Sequence, residues 1–332
     1  MDNRDFPYRT DLRRTSDQEL IGHDGRALRR GVTAGEQERL LRGIYVSSPV
    51  WAAADDDARY LLRIQAVVLT RRSRPVLSHL SAARIWGLPV LGRWPAEVHL
   101  MCGGDAHRHA RNGVVWHYDR IDDDEVVEIN GFLVTSRLRT MVDLARTERF
   151  AAAVVALDAG LRTPFVLPSG SREQDITHAE FQEAVTRLGA VRGCRGARLA
   201  AAFADGQSGS AGESVSRANI YLAGLPAPEL QVAYLRPAGG EDKVDFRWHA
   251  RHNVRRVTLL GEFDGKVKYT RDQYMAGRTI QEVVWDEKVR EDRLRAPAGG
   301  PDRGMVRWLW DVAVSPVRLR AVLIGAGLRP ER

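Results

Sequence analysis

Lys243-Val-Asp-Phe-Arg-Trp248 and Arg256-Val-Thr-Leu-Leu-Gly-Glu-Phe-Asp-Gly-Lys266 decide how the C-terminal third of the chain reads. Each is an apolar run that carries acids, which predicts two neighbouring strands. Side chains alternate across a strand, so Glu262 and Asp264 share one face and Phe263 takes the other. Two carboxylates side by side at the end of an apolar strand repel each other without a counter-charge. A hard cation such as Mg²⁺, held through one or two carboxylates, meets that need. Asp245 on the first strand completes the cluster, and Glu213 at the start of a preceding helix reaches the same point. An alternative stays open at this level: Asp264-Gly265 is also a turn dipeptide, which would leave both acids facing solvent.

The chemistry implied is phosphodiester hydrolysis. Asp245, Glu262 and Asp264 position the metal, which polarises a phosphate and acidifies a water. Lys266, or Lys268 one same-face step on, neutralises the charge that develops. Of 50 basic residues only four are lysines (243, 266, 268 and 288), all near this region. Lysine supplies a compact, tunable charge where arginine supplies a fixed planar one.

Working outward, the strand pair is followed by a charged helix around 285–294, a strand over 305–310 and a closing helix from Ser315. Upstream, residues 166–205 read as a helical linker in which Arg187, Arg192, Arg195 and Arg198 fall without an acid between 184 and 204. That face suits phosphate contacts, and equally suits plain solvation. Residues 51–165 read as α+β, with helices over 58–72, 78–86, 136–145 and 150–161. Strands fall at 98–101 and 114–118, and a hairpin turns on Asn130-Gly131, the preferred type I′ pair. His99, Cys102, His107 and His109 lie close in sequence, but their spacing fits no standard zinc site and offers a single thiolate. Trp308 and Trp310 read as packing residues.

Residues 16–50 read as helix, turn, basic helix and small β-wing, a winged-helix outline. Arg26, Arg29 and Arg30 fall on the basic helix, and Gly43 turns the wing. Residues 1–15 read as a flexible arm without an apolar leader.

The 332 residues are enough for two or three domains, and 44% apolar residues can build real cores. A net charge of +7 admits a polyanionic partner. No run of 18 apolar residues appears, so no membrane span is expected. Two distant cysteines predict no disulfide and a reducing cytoplasm.

Residues 212–326 resemble the PD-(D/E)XK nuclease superfamily, above all its branch of very-short-patch-repair endonucleases and their uncharacterised relatives. The shared order is an acidic helix, Gly224-Leu-Pro-Ala-Pro with Gln231, Val-Asp245-Phe, Glu262-Phe-Asp-Gly, a charged helix and Trp308-Leu-Trp-Asp311. Asp264 stands where that pattern has a lysine. Residues 16–165 resemble the antitoxins of abortive-infection type IV toxin–antitoxin systems, through Leu41-Arg-Gly-Ile-Tyr-Val46, Ser78-His-Leu-Ser-Ala-Ala, Gly87-Leu-Pro and Gly131-Phe-Leu-Val-Thr-Ser136.

The resemblances imply an α/β chain, α+β overall. It would carry a winged-helix-like module (16–50), an antitoxin-like region (51–165), a linker (166–205) and a mixed-sheet, restriction-endonuclease-like domain (206–332) with Mg²⁺ at Asp245 and the Glu262 strand. DNA is the expected partner, with a cognate toxin or other protein as a further one. Two functions are expected: a Mg²⁺-dependent endonuclease, or an antitoxin-like repressor that keeps a non-catalytic nuclease fold.

Overall fold

A computed structural model describes residues 11–20, 24, 26–102, 113–166, 170, 172–236, 239–252, 255–265, 280–295 and 303–330, without the side chains of 250–252, 255–257, 280, 283 and 284. The chain is mixed α and β, with three sheets among the described residues. It divides into two units, Met1–Glu148 with Thr163–Ala202, and Arg149–Arg162 with Phe203–Arg332.

The first unit opens on β1 (Leu12–Arg14), α1 (Thr15–Leu20), α2 (Arg26–Thr33), β2 (Gln37–Leu41) and β3 (Ile44–Ser47). The strands form an antiparallel sheet in the order β1-β3-β2. Gly43 turns the β2–β3 hairpin at φ 81°, a conformation glycine adopts without a Cβ penalty. Residues 12–14 were expected to belong to a flexible arm. Instead Leu12 pairs with Val46 and is buried, because an apolar residue beside an open strand edge gains both a ladder and a core. Leu12, Ile44 and Val46 pack on Leu62, Ala66 and Leu69 of α4 (Asp56–Leu69), with α3 (Ser48–Ala53) between sheet and helix in the chain. Asp55 caps α4 by accepting from Ala58 N at 2.8 Å, and Thr70 ends it earlier than the expected 72.

Next come β4 (Val76–Leu77), α5 (His79–Trp86), β5 (Val98–Cys102), β6 (Val114–Tyr118), β7 (Val126–Ile129), β8 (Phe132–Thr135) and α6 (Arg137–Thr147). The five strands run in the order β6-β5-β4-β8-β7. Asn130 and Gly131 take φ 48° and 77°, the doubly left-handed turn that their dipeptide favours. α8 (His178–Arg187) and α9 (Cys194–Phe203) follow later in the chain, α8 behind a capping box of Thr177 and Glu180.

The second unit begins with α7 (Phe150–Arg162) and resumes at α10 (Ala211–Leu222). Arg217 Nη2 on α10 donates to both carboxylate oxygens of Asp158 on α7, each at 2.8 Å, with both residues buried. A mixed sheet follows: β9 (Glu229–Leu235), β10 (Glu241–His252), β11 (Arg255–Phe263) and, after α12 (Ile280–Arg295), β12 (Gly304–Trp308). Its order is β12-β11-β10-β9, antiparallel except for the parallel β11–β12 pair. Leu294 of α12 packs on Val244 and Leu260, while Phe246 stacks against Trp248 and Trp308. The strand expected over 305–310 stops at Trp308, and Trp310 starts α13 (Trp310–Ala313), ahead of α14 (Pro316–Gly325). Trp308 is buried and donates to Ser216 Oγ at 2.8 Å; Trp310 is 45% exposed and so only partly fills the packing role expected of it.

Candidate functional site

Glu213 sits in the first turn of α10, where Ser210-Ala-Gly-Glu213 closes a reciprocal cap. Glu213 N donates to Ser210 Oγ at 3.2 Å, and Ser210 Oγ donates back to Glu213 Oε1 at 2.8 Å. Gly209 N and Gln231 Nε2 both donate to Oε2 at 2.7 Å. Gln231 also reaches Asp245 Oδ1 at 3.3 Å, so one amide bridges two carboxylates. Asp245 Oδ2 accepts from Phe263 N at 2.8 Å, which ties β10 to the end of β11. Gln231 holds φ 50°, a left-handed conformation that costs a non-glycine residue of order 1–3 kcal/mol.

Alternation on β11 works as expected for Phe263 and Glu262. The Phe263 ring lies against Gly212 of α10, so close that a Cβ there would come within 2.0 Å of it. Glu262 goes to the arginines of α12 and β12. It pairs with Arg290 through a short contact, and its Oε2 lies 3.0 Å from Arg307 Nη2. Burial pulls Arg290 and Arg307 down, but Glu262, joined by Glu287 and for Arg307 by Glu291, outweighs that and holds both above the ordinary guanidinium range. Asp264 lies just past the strand, half-buried, with its N–H on Trp308 O at 2.9 Å. Lys266 and Lys268 lie outside the described residues.

The structure therefore brings Glu213 and Asp245 together and gives Glu262 other neighbours. Mg²⁺ needs oxygen ligands that converge with lone pairs to offer. Both Glu262 oxygens face guanidinia, and both Glu213 oxygens accept hydrogen bonds. Among the described residues no group of three or more His, Cys, Asp or Glu is placed to hold a metal ion. As placed, the expected metal set of Asp245, Glu262 and Asp264 does not fit the cation.

Of the nucleic-acid candidates, Arg26, Arg29 and Arg30 are all exposed on α2, whose buried residues are Leu28 and Gly31. Asp24 accepts from Arg26 N at 2.8 Å and pairs with Arg30 at 3.1 Å, which anchors the start of that helix. Arg192, Arg195 and Arg198 are exposed at and within α9, and Arg198 donates to Gly189 O at 3.1 Å.

Sequence reasoning missed three groups. Gln231 entered only as part of a motif, and its left-handed backbone has no sequence signal. Arg290 and Arg307 lie 28 and 45 residues from Glu262, too far apart for any local pattern. In the first unit, His99 meets His79 and His117, while His107 and His109 lie outside the described residues. His99 Nδ1 and His117 Nε2 share a hydrogen bond of 2.9 Å, and the His79 and His117 rings stack with centroids 3.4 Å apart. Burial lowers all three, His79 to about 2 and the others to about 4, and Asp143 Oδ2 lies 3.8 Å from His79 Nδ1.

No protein-family model matches the chain. Two uncharacterized proteins of Mycobacterium tuberculosis, MT2308 of strain CDC 1551 and Rv2248 of strain H37Rv, are each 31% identical to it over 157 residues, 47% of this chain. The chain spans about half, 54%, of the length of these relatives. A solved structure, that of RV2827C protein from Mycobacterium tuberculosis, aligns over 69% of this chain and 85% of its own, at 14% identity and a TM-score of 0.38. Among the described residues no helix is long and apolar enough to cross a membrane.

Proposed function

We propose that this chain is a DNA-binding regulator of the antitoxin type, whose second unit keeps nuclease-like strands without working as a metal-dependent nuclease. The observation that carries the DNA-binding reading is the arrangement of α2. Three exposed arginines sit on it, it leads directly into the β2–β3 hairpin, and β1 closes the sheet behind. A basic helix beside a β-wing suits a duplex, with the helix at the groove and the arginines on phosphates. The regulator reading of the second unit is favoured by Glu262, whose carboxylate is taken up by Arg290 and Arg307.

The test is retention of a duplex from upstream of the protein's own coding region, by full-length wild type and by Arg26→Ala, Arg29→Ala, Arg30→Ala. Wild type should retain it, more weakly as salt rises, and the triple variant should lose most of that retention. Equal retention by both proteins would sink this use of α2.

A second reading, a Mg²⁺-dependent endonuclease, draws support from the strained Gln231 that bridges Glu213 and Asp245. Strain and paired carboxylates gather at catalytic sites. Plasmid nicking in Mg²⁺ or Mn²⁺, abolished in Asp245→Ala, Glu262→Ala, would favour this reading over the regulator.

A further inference from the structure

Three carboxylates converge on one nitrogen in the second unit. Arg307 Nη2 on β12 lies 3.0 Å from Glu262, 2.6 Å from Glu287 and 3.5 Å from Glu291. Glu262 comes from β11 in register with Arg307, and the two other acids lie one turn apart on α12. Arg290 flanks the group, in contact with Glu262 and, at 2.9 Å, with Glu287. Glu262 is buried, so its charge needs a fixed partner in place of water.

We propose that Arg307 is a built-in cation: its guanidinium takes the place of a divalent ion among Glu262, Glu287 and Glu291, and so makes the second unit independent of metal. This deepens the regulator reading and rests on it. The charges follow the same logic. Three carboxylates face Arg290, Arg307 and, on Glu291 at 2.7 Å, Arg295; loss of Arg307 leaves three against two, an excess of negative charge that a cation relieves. Oxygen ligands on a strand and on one helix face are what a hard cation accepts once the arginine has gone.

The experiment is Mn²⁺ binding, followed by electron paramagnetic resonance as a stand-in for Mg²⁺. It uses full-length wild type, Glu262→Gln, Arg307→Ala and the Arg307→Ala, Glu262→Gln double variant, each also melted in Mn²⁺ and in EDTA. Wild type and Glu262→Gln should bind Mn²⁺ alike, and wild type should melt at the same temperature in Mn²⁺ as in EDTA. Arg307→Ala should gain a Mn²⁺ site that the double variant loses, and Mn²⁺ should raise its melting temperature. A wild-type Mn²⁺ site lost in Glu262→Gln would overturn the proposal, whether or not Arg307→Ala folds. So would a folded Arg307→Ala that gains no site. Metal-dependent nicking by wild type would sink the regulator reading itself, a separate result from the binding comparison.

Discussion

At the scale of single residues, buried charge and close packing set the strongest expectations. Asp158 is wholly buried, and burial raises its carboxyl even though Arg217 Nη2 donates to both its oxygens. Removing one partner leaves a buried charge alone, which costs about 3–5 kcal/mol. Asp158→Ala should therefore lower the stability of the second unit by about that much in urea unfolding, and a loss below about 1 kcal/mol would contradict the pairing. Gly212 tests the seating of Phe263. A methyl group there would overlap the ring at 2.0 Å, so Gly212→Ala should cost about 1–3 kcal/mol through forced repacking. Smaller Phe263→Leu should relieve part of that cost in the double variant, and strictly additive losses would argue against the close approach.

At the scale of elements, α2 with the β2–β3 hairpin is the part expected to meet DNA. Removing an arginine that neutralises one phosphate should flatten the dependence of log binding on log salt by about 0.9. The change should be greater for Arg29→Ala than for Arg30→Ala, because the Arg30 guanidinium already pairs with Asp24. Titration of wild type and Arg29→Ala across salt concentrations measures this directly; parallel salt slopes would place Arg29 off the phosphates. This element was legible in sequence because its signals are local: Gly43 for the turn, the arginines on the helix, and a short apolar run on either side of the turn. β1 was not legible. A three-residue strand has no periodicity of its own, and only its pairing with β3 reveals it.

At the scale of the whole molecule, pH should act through the buried imidazoles of the first unit. Each has an ordinary value of 6.5, and burial holds His99 and His117 at about 4 and His79 at about 2. Between about pH 6.5 and 4 the unfolded chain takes up protons that the fold refuses, so stability falls as pH falls through that window. Asp143 works in the opposite sense. Burial raises it to about 6 against the pull of Arg139, so it favours the fold toward acid between about pH 3.8 and 6. Three imidazoles outweigh one carboxyl, and the net expectation is a first unit markedly less stable at pH 5 than at pH 7. Unfolding curves at the two values, with His99→Gln, His117→Gln as reference, check it. A flat profile in wild type, or an equally steep one in the reference, would remove the cluster from the account.

Local sequence signals were enough for the classes of structure: a mixed α and β chain, the Asn130-Gly131 hairpin, the β2–β3 hairpin, and acids at the end of β11 with Phe263 turned the other way. These follow from periodicity and turn chemistry, which act over a few residues. Which charges meet is set by the way distant segments pack. Helix α7 joins the second unit because Asp158 finds Arg217 across 59 residues, and Glu262 meets Arg290 and Arg307 across 28 and 45. The three histidines meet from α5, β5 and β6. Desolvation drives these choices. A buried carboxylate or imidazole must find its partner wherever the fold delivers one, and no local pattern of residues records where that will be.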